Sequence, residues 1–373
     1  MNIFLDYIIF ILILLFAHML SINTQNISSK QYFYGVYIKQ INIDENIEKE
    51  IDKDFKLKLN ISLLIVIIIY IIFNLIFKLN IGLNIMVSTT IYLALYYIFL
   101  KNEYKKVKNI KNNYLVINEE NVKTERKERK FLKEDNELRK IKLKIIKKFK
   151  ILFGICIVLS ILSFLYVLVN YNSMPETIIT HWGSGGRPDG FAKKNIIDVF
   201  YTNFIDICMV ILLAVMGVGS VSSNTYIDNK NLEINRKKAI KYLNGIGYSF
   251  FIMTLTIQSV TTTIPIFMVK EKNIPLQLTL FVCIAPIFIS VALIYFYIML
   301  GSLKPKDKSL YAAENDDEKW IYGFIYYNEE DPCLMVEKRL GAGWSMNMAH
   351  PLGKVMTFIL LLTLAGTMII CFI

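Results

Sequence analysis

The chain alternates long apolar runs with polar connections. The runs are Ile3–Ile22, Leu59–Phe77, Ile81–Leu100, Ile151–Tyr171, Val199–Val221, Gly245–Val269, Leu276–Leu300 and Val355–Ile373. Each holds roughly twenty residues, the length a helix needs to cross a hydrocarbon core about 30 Å thick. The pattern predicts an all-α polytopic membrane protein with about eight transmembrane helices. Only Lys78, Leu79 and Asn80 separate the second run from the third, so these two form a tight helical hairpin. The first run has no Lys or Arg before it. It lacks the basic start of a signal peptide and reads as a retained helix.

The polar connections differ in kind. Residues 23–58 hold the short motif Tyr34-Gly35-Val36-Tyr37-Ile38 and a charged stretch, Asp44–Lys58, whose mixed signs suit a solvated or surface-lying helix. Residues 101–150 carry 18 Lys or Arg against 8 Asp or Glu. Within them 126–150 reads as helical and the Y-L-V-I-N run at 114–118 as a short strand. Residues 172–198 are punctuated by Pro175, Gly183, Gly185, Gly186, Pro188 and Gly190, which predicts turns rather than helix or strand. Near the C-terminus, Trp320–Tyr327, Cys333–Lys338 and Trp344–Met348 read as a small cytoplasmic three-stranded β-motif. About 30 residues of meander bury little core, so the motif should lean on helix ends or the membrane surface.

These patterns divide the chain into six parts. They are an N-terminal three-helix membrane region (1–100), a basic cytoplasmic loop (101–150), a helix–loop–helix (151–222), a two-helix membrane region (223–300), a cytoplasmic segment (301–354) and a final transmembrane helix (355–373).

Charge then sets the orientation. A net charge of +11 could suggest nucleic acid, but basic loops held on the cytoplasmic side account for it, and no nucleic-acid partner is expected. With 101–150 and the Lys- and Arg-bearing loop 222–244 inside, eight crossings place 172–198 and both termini outside. The expected setting is a cytoplasmic membrane crossed many times, with the lipid bilayer as the first partner. The abundance of Ile, Lys and Asn suits a bacterium with an AT-rich genome. The five Cys include no C-x-x-C pair, so neither a disulfide framework nor a structural zinc site is expected.

Two places carry candidate chemistry. Asp206 is the one strong acid well inside an apolar run, with Asn203 one turn away on the same face. An intramembrane carboxylate is costly and points to function, although one near the interface could reach water or Arg187. The connection 174–195 gathers His181, Trp182, Arg187 and Asp189 among glycines that let backbone approach a ligand. The same residues also suit a compact cap over two helix ends, with Trp182 at headgroup depth. A metal would need a third or fourth ligand, and Ser184 near His181 lacks the rest of a triad, so no metal, cofactor or catalytic residue is expected. Small and weakly polar residues mark packing faces in lipid. They predict interior stripes at Cys156, Ser160, Ser163 and Asn170, and at Gly245, Ser249, Thr256, Ser259 and Thr263.

The run P-E-T-I-I-T-H-W-G-S-G-G-R-P-D-G-F, set between two membrane helices, resembles domain of unknown function 1648 over about residues 150–222. That domain opens the SdpI-like membrane proteins, whose type member gives immunity to a secreted killing peptide and relays its presence to a repressor. The remainder of that architecture is not recognisable here. A second run, W-x-x-G-x-x-Y-Y-N-x-x-D-P followed by V-x-K-R-x-G-x-G-W-x-x-N, resembles domain of unknown function 5808 over about residues 318–352. In it Arg339, Gly341, Gly343, Trp344 and Asn347 either hold an anion or simply form a glycine turn. The resemblances imply a non-enzymatic sensor or immunity-type protein that meets an extracellular peptide or small ligand outside and a protein partner inside. The alternative from the residues alone is a transporter or channel component that uses Asp206.

Overall fold

The computed structural model describes residues 2–28, 31–38, 41, 43–76, 81–117, 135–183, 185–223, 231–281, 284–285, 288–291, 316–341 and 343–372. The connection Lys78–Asn80, residues 118–134 of the basic loop, Ser184, the later part of the seventh apolar run and residues 301–315 lie outside them.

The described chain is mostly helical. In order it forms α1 (Asn2–Ile22), a short α2 (Thr24–Ile27), β1 (Tyr32–Phe33), β2 (Val36–Tyr37), α3 (Glu45–Leu75) and α4 (Ile81–Ile117). Then come α5 (Asn136–Asn170), β3 (Thr177–Trp182), β4 (Pro188–Lys193), α6 (Ile196–Ser222) and α7 (Leu232–Lys270). Four short strands follow, β5 (Trp320–Ile321), β6 (Ile325–Tyr326), β7 (Met335–Glu337) and β8 (Trp344–Met346), before α8 (Pro351–Phe372). Five stretches among the described residues are long and apolar enough to cross a membrane: Glu45–Leu75, Gly82–Leu115, Asn136–Ser173, Ile196–Ser222 and Leu232–Lys270. Phe10–Ile22 and Pro351–Thr363 are shorter apolar helices.

Helix starts are encoded locally. Asp44, Asp135 and Asn195 each accept a backbone N–H of the first turn, at 2.8, 3.2 and 2.9 Å, as N-cap residues do. The charged stretch 44–58 is helical as expected and is continuous with the second apolar run in α3. The expected strand at 114–118 is wrong: α4 runs through Ile117. Extending an existing helix costs far less than starting a new element, and Tyr114 and Leu115 pack on the same core as the turns before them. Residues 177–193 are likewise not a turn-rich loop but a two-stranded antiparallel hairpin. Its prolines and glycines sit at the bulge, the tip and the tip-proximal end of β4, while Thr177, Ile178 and Ile179 supply an ordinary strand.

Two compact units divide the chain: Met1–Ile9 with Glu134–Lys304 and Val355–Leu364, and Phe10–Lys133 with Pro305–Lys354 and Ala365–Ile373. In the second, two hairpins meet glycine to glycine. The β1–β2 turn is Tyr34-Gly35 (φ 45° and 81°) and the β5–β6 turn begins Tyr322-Gly323 (φ 51° and 77°). A Cβ on Gly35 would come within 2.7 Å of the Gly323 Cα, and one on Gly323 within 2.9 Å of the Gly35 Cα. Arg339 is fully buried beside them. It pairs with Asp317 at 2.5 Å and with Asp316, donates to the Gly35 carbonyl at 3.0 Å, and lies over the rings of Tyr32 and Trp320. Lys111 reaches the other Asp317 oxygen at 2.7 Å.

The C-terminal β-motif therefore differs from a three-stranded meander. The expected first strand folds on itself at Tyr322–Phe324, giving β5–β6, and β7–β8 forms a second pair, joined to the first by a single bridge, Tyr326 to Asn347. Arg339 faces inward to two carboxylates, not outward to an anion. Asn347 is spent on its own backbone surroundings, accepting from Asn328 and Ala349 and donating to Asn328 and Asp331.

Candidate functional site

In the first unit α5, α6 and α7 pack against one another, and glycine decides how closely. Gly217 of α6 lies against Phe153 and Phe250, and Gly247 of α7 against the Phe149 ring, where a Cβ would collide. Close approach of this kind is how helices associate without a hydrophobic drive between them.

Polar side chains then fill the seam between the three helices. Gln258 of α7 donates to the Cys156 carbonyl at 2.7 Å and contacts the Ser160 hydroxyl at 2.8 Å, both on α5. Asn203 of α6 donates to Ser163 of α5 at 3.1 Å. Thr261 of α7 donates to Asp206 Oδ1. Asn203, Asp206 and Gln258 are respectively 1%, 1% and 3% exposed. Asp206 lies ten residues into α6, about 15 Å along its axis. It therefore does not reach toward Arg187, which is exposed on the hairpin. A groove of about 510 Å³ opens beside the seam between α5 and α7, lined by Leu159, Leu162, Ser163, Tyr166, Leu255, Gln258, Ser259, Thr262, Ile266 and Lys270.

The β3–β4 hairpin belongs to the same unit. Ile178 and Ile179 are both buried, and just beyond them the register shifts between Ile179 and His181, a bulge that breaks the strict alternation of β3. Ile178 joins Val167, Met174, Val199 and Met268 in a small core, with Trp182 packed on it. Trp182 also donates to the Lys272 carbonyl at 3.0 Å, and the Gly186 carbonyl accepts from Ile274 at 2.8 Å, so the hairpin is fixed to the chain that follows α7. Trp182 is thus a packing and anchoring residue. His181 and Asp189 face out, 61% and 52% exposed, and meet each other at 2.5 Å between Nδ1 and Oδ1. Phe191, on the same strand as Asp189, is 61% exposed. Asp189 thus accepts from an imidazole rather than from the backbone of its own turn.

The expected site residues therefore separate into two places. His181, Arg187 and Asp189 lie on the hairpin surface, Trp182 at its base, and Asp206 inside the helix seam. Sequence reasoning found Cys156, Ser160, Ser163, Asn203 and Asp206 but missed Gln258 and Thr261. The expected α7 stripe, Gly245 to Thr263, shares only Thr256 with the buried set, which is Ala239, Leu243, Ile246, Gly247, Thr254, Thr256, Gln258, Pro265 and Met268. The available signal was Gln258 itself, the one carboxamide within the apolar run Gly245–Val269.

Long apolar helices joined by a buried polar seam define a multi-pass integral membrane protein. Within it, residues 158–204 match the Domain of unknown function (DUF1648) and residues 330–354 match the Family of unknown function (DUF5808). No curated protein and no solved structure matches the chain. The first match spans the end of α5, the hairpin and the start of α6, and stops at Phe204, two residues before Asp206.

Proposed function

We propose that this is a non-enzymatic sensor or immunity-type protein of a bacterial cytoplasmic membrane. In this reading eight apolar helices cross the bilayer, both termini and the hairpin Thr177–Lys193 face the exterior, and the hairpin meets an extracellular peptide or small ligand. A cytoplasmic protein partner receives the signal. The observation that carries it is the hairpin's division of labour. One side is tied down through Ile178 and Trp182, while His181, Asp189 and Phe191 stand in the open, with the His–Asp pair engaged with each other. An exposed pair of that kind adds only a fraction of a kcal/mol to stability, up to about 1, so its placement suits recognition better than folding. A two-stranded hairpin also has open backbone edges, to which an extended peptide can add as a further strand.

The test is protection. Cells that express the chain should survive a secreted peptide that kills cells without it. His181→Ala and Asp189→Ala should each lose that protection at unchanged membrane abundance. Undiminished protection in both variants would remove the hairpin from the mechanism. A second reading, a transporter or channel component, is supported by the buried carboxylate of Asp206 in its polar seam. It requires Asp206→Asn to lose solute flux in reconstituted vesicles, and unchanged flux would exclude it.

A further inference from the structure

The seam around Asp206 leaves three side-chain oxygens without partners. Asp206 Oδ2, Asn203 Oδ1 and Gln258 Oε1 are buried and have no hydrogen-bond partner among the described residues. A buried oxygen without a partner is destabilising, and more so when it is charged. Three of them on one interface of three helices call for a ligand that accepts oxygen lone pairs. Each side chain is held by a neighbouring helix within one narrow layer. Gln258 lies one turn from Thr261, which holds Asp206; Asn203 lies one turn from Asp206; and the two amides rest on Ser160 and Ser163 of the same α5 face.

We propose that Asp206, Asn203 and Gln258 bind a small monovalent cation, of which sodium is the chemical type. Hard cations take oxygen ligands from carboxylates, amide carbonyls and hydroxyls, and that is the donor set here. The charge also decides the valence. One carboxylate neutralises one positive charge, whereas a divalent ion would leave an unbalanced charge inside the low-dielectric bundle, where it is expensive. Each amide already has its N–H donor committed to α5, Gln258 to Cys156 and Asn203 to Ser163, which leaves its oxygen as the free end. The groove between α5 and α7 is walled in part by Gln258 and Ser163. The site stands apart from the hairpin and does not rest on the recognition reading. It needs no flux, so a failed transport assay would leave it intact.

The experiment is thermal unfolding of the purified full chain in detergent, in sodium chloride against choline chloride at equal ionic strength. A ligand that binds the folded state raises the melting temperature saturably with its concentration. Sodium should do so and choline should not. Asp206→Asn should melt at the same temperature in both salts. Gln258→Leu should keep the sodium response but need roughly tenfold or more salt to reach it, the loss expected when a supporting ligand is removed. Gln258→Glu adds a second carboxylate and should transfer the response from sodium to calcium. If Asp206→Asn fails to fold, the two Gln258 variants carry the test. Equal melting of the wild type in sodium and choline overturns the proposal, and so does a sodium response that survives in Asp206→Asn.

Discussion

Several single residues hold positions that no neighbour in sequence explains. Gly323 combines a positive φ with contact against Gly35 and the Tyr104 ring. Gly323→Ala should cost about 1–3 kcal/mol through backbone strain and collision, read as a lower melting temperature, whereas Gly341→Ala meets no neighbour within 4 Å and carries only the strain of φ 72°. Arg339 is buried against two carboxylates. Arg339→Ala leaves Asp316 without this partner and Asp317 with Lys111 alone, and should cost about 3–5 kcal/mol, checked by the unfolding midpoint of the purified chain. The same cluster sets an acid limit. Burial pushes the Asp317 carboxyl up, but Lys111 and Arg339 outweigh it and hold the group below its usual range. A depressed carboxyl gives stability that is complete above its unfolded value, near 3.9, and is lost as pH falls through its folded value. Stability of the wild type should therefore drop below about pH 4, and Asp317→Asn should flatten that drop. An unchanged acid profile in Asp317→Asn would remove Asp317 from the account.

At the scale of elements, the hairpin and the paired turns repay attention because both invert what local composition suggests. Glycine and proline punctuation between residues 175 and 190 points to irregular chain, yet β3 and β4 pair over most of their length. Gly190 lies opposite the bulge, and a Cβ there would come within 2.7 Å of the His181 Cβ. Gly190→Val should open the hairpin, seen as faster amide hydrogen exchange over 177–193, while exchange in α5, α6 and α7 stays slow. Equal exchange throughout would mean the strands tolerate the displacement. The two Tyr-Gly turns bring the short motif at 34–38 against the C-terminal motif. The expected strand Trp320–Tyr327 was too long because Tyr322 and Gly323 adopt left-handed backbone, and that conformation is stabilised by Gly35, far away in sequence.

At the scale of the molecule, the five helices among the described residues that are long and apolar enough to span a bilayer require that the chain stay in the membrane pellet after alkaline carbonate extraction. Recovery in the supernatant would contradict the membrane assignment. Orientation is a separate prediction. Phe191→Cys, in a background without other cysteines, should react with an impermeant thiol reagent on intact cells. Reaction only after the cells are broken would invert the topology and take the hairpin off the exterior.

Of the eight spans expected from the sequence by itself, five are helices long and apolar enough to cross a bilayer among the described residues, because a run of about twenty apolar residues is a local property that lipid recognises without reference to the fold. The sequence also marked Asp206 and Asn203, since polar groups in such a run are conspicuous. Only the tertiary structure decided which face of α7 is interior, that Gln258 and Thr261 complete the seam, that Arg339 is buried between Asp316 and Asp317, and that Gly35 meets Gly323. Those outcomes depend on the rotation of one helix against another and on backbone bends fixed by distant partners, quantities that no window along the chain contains.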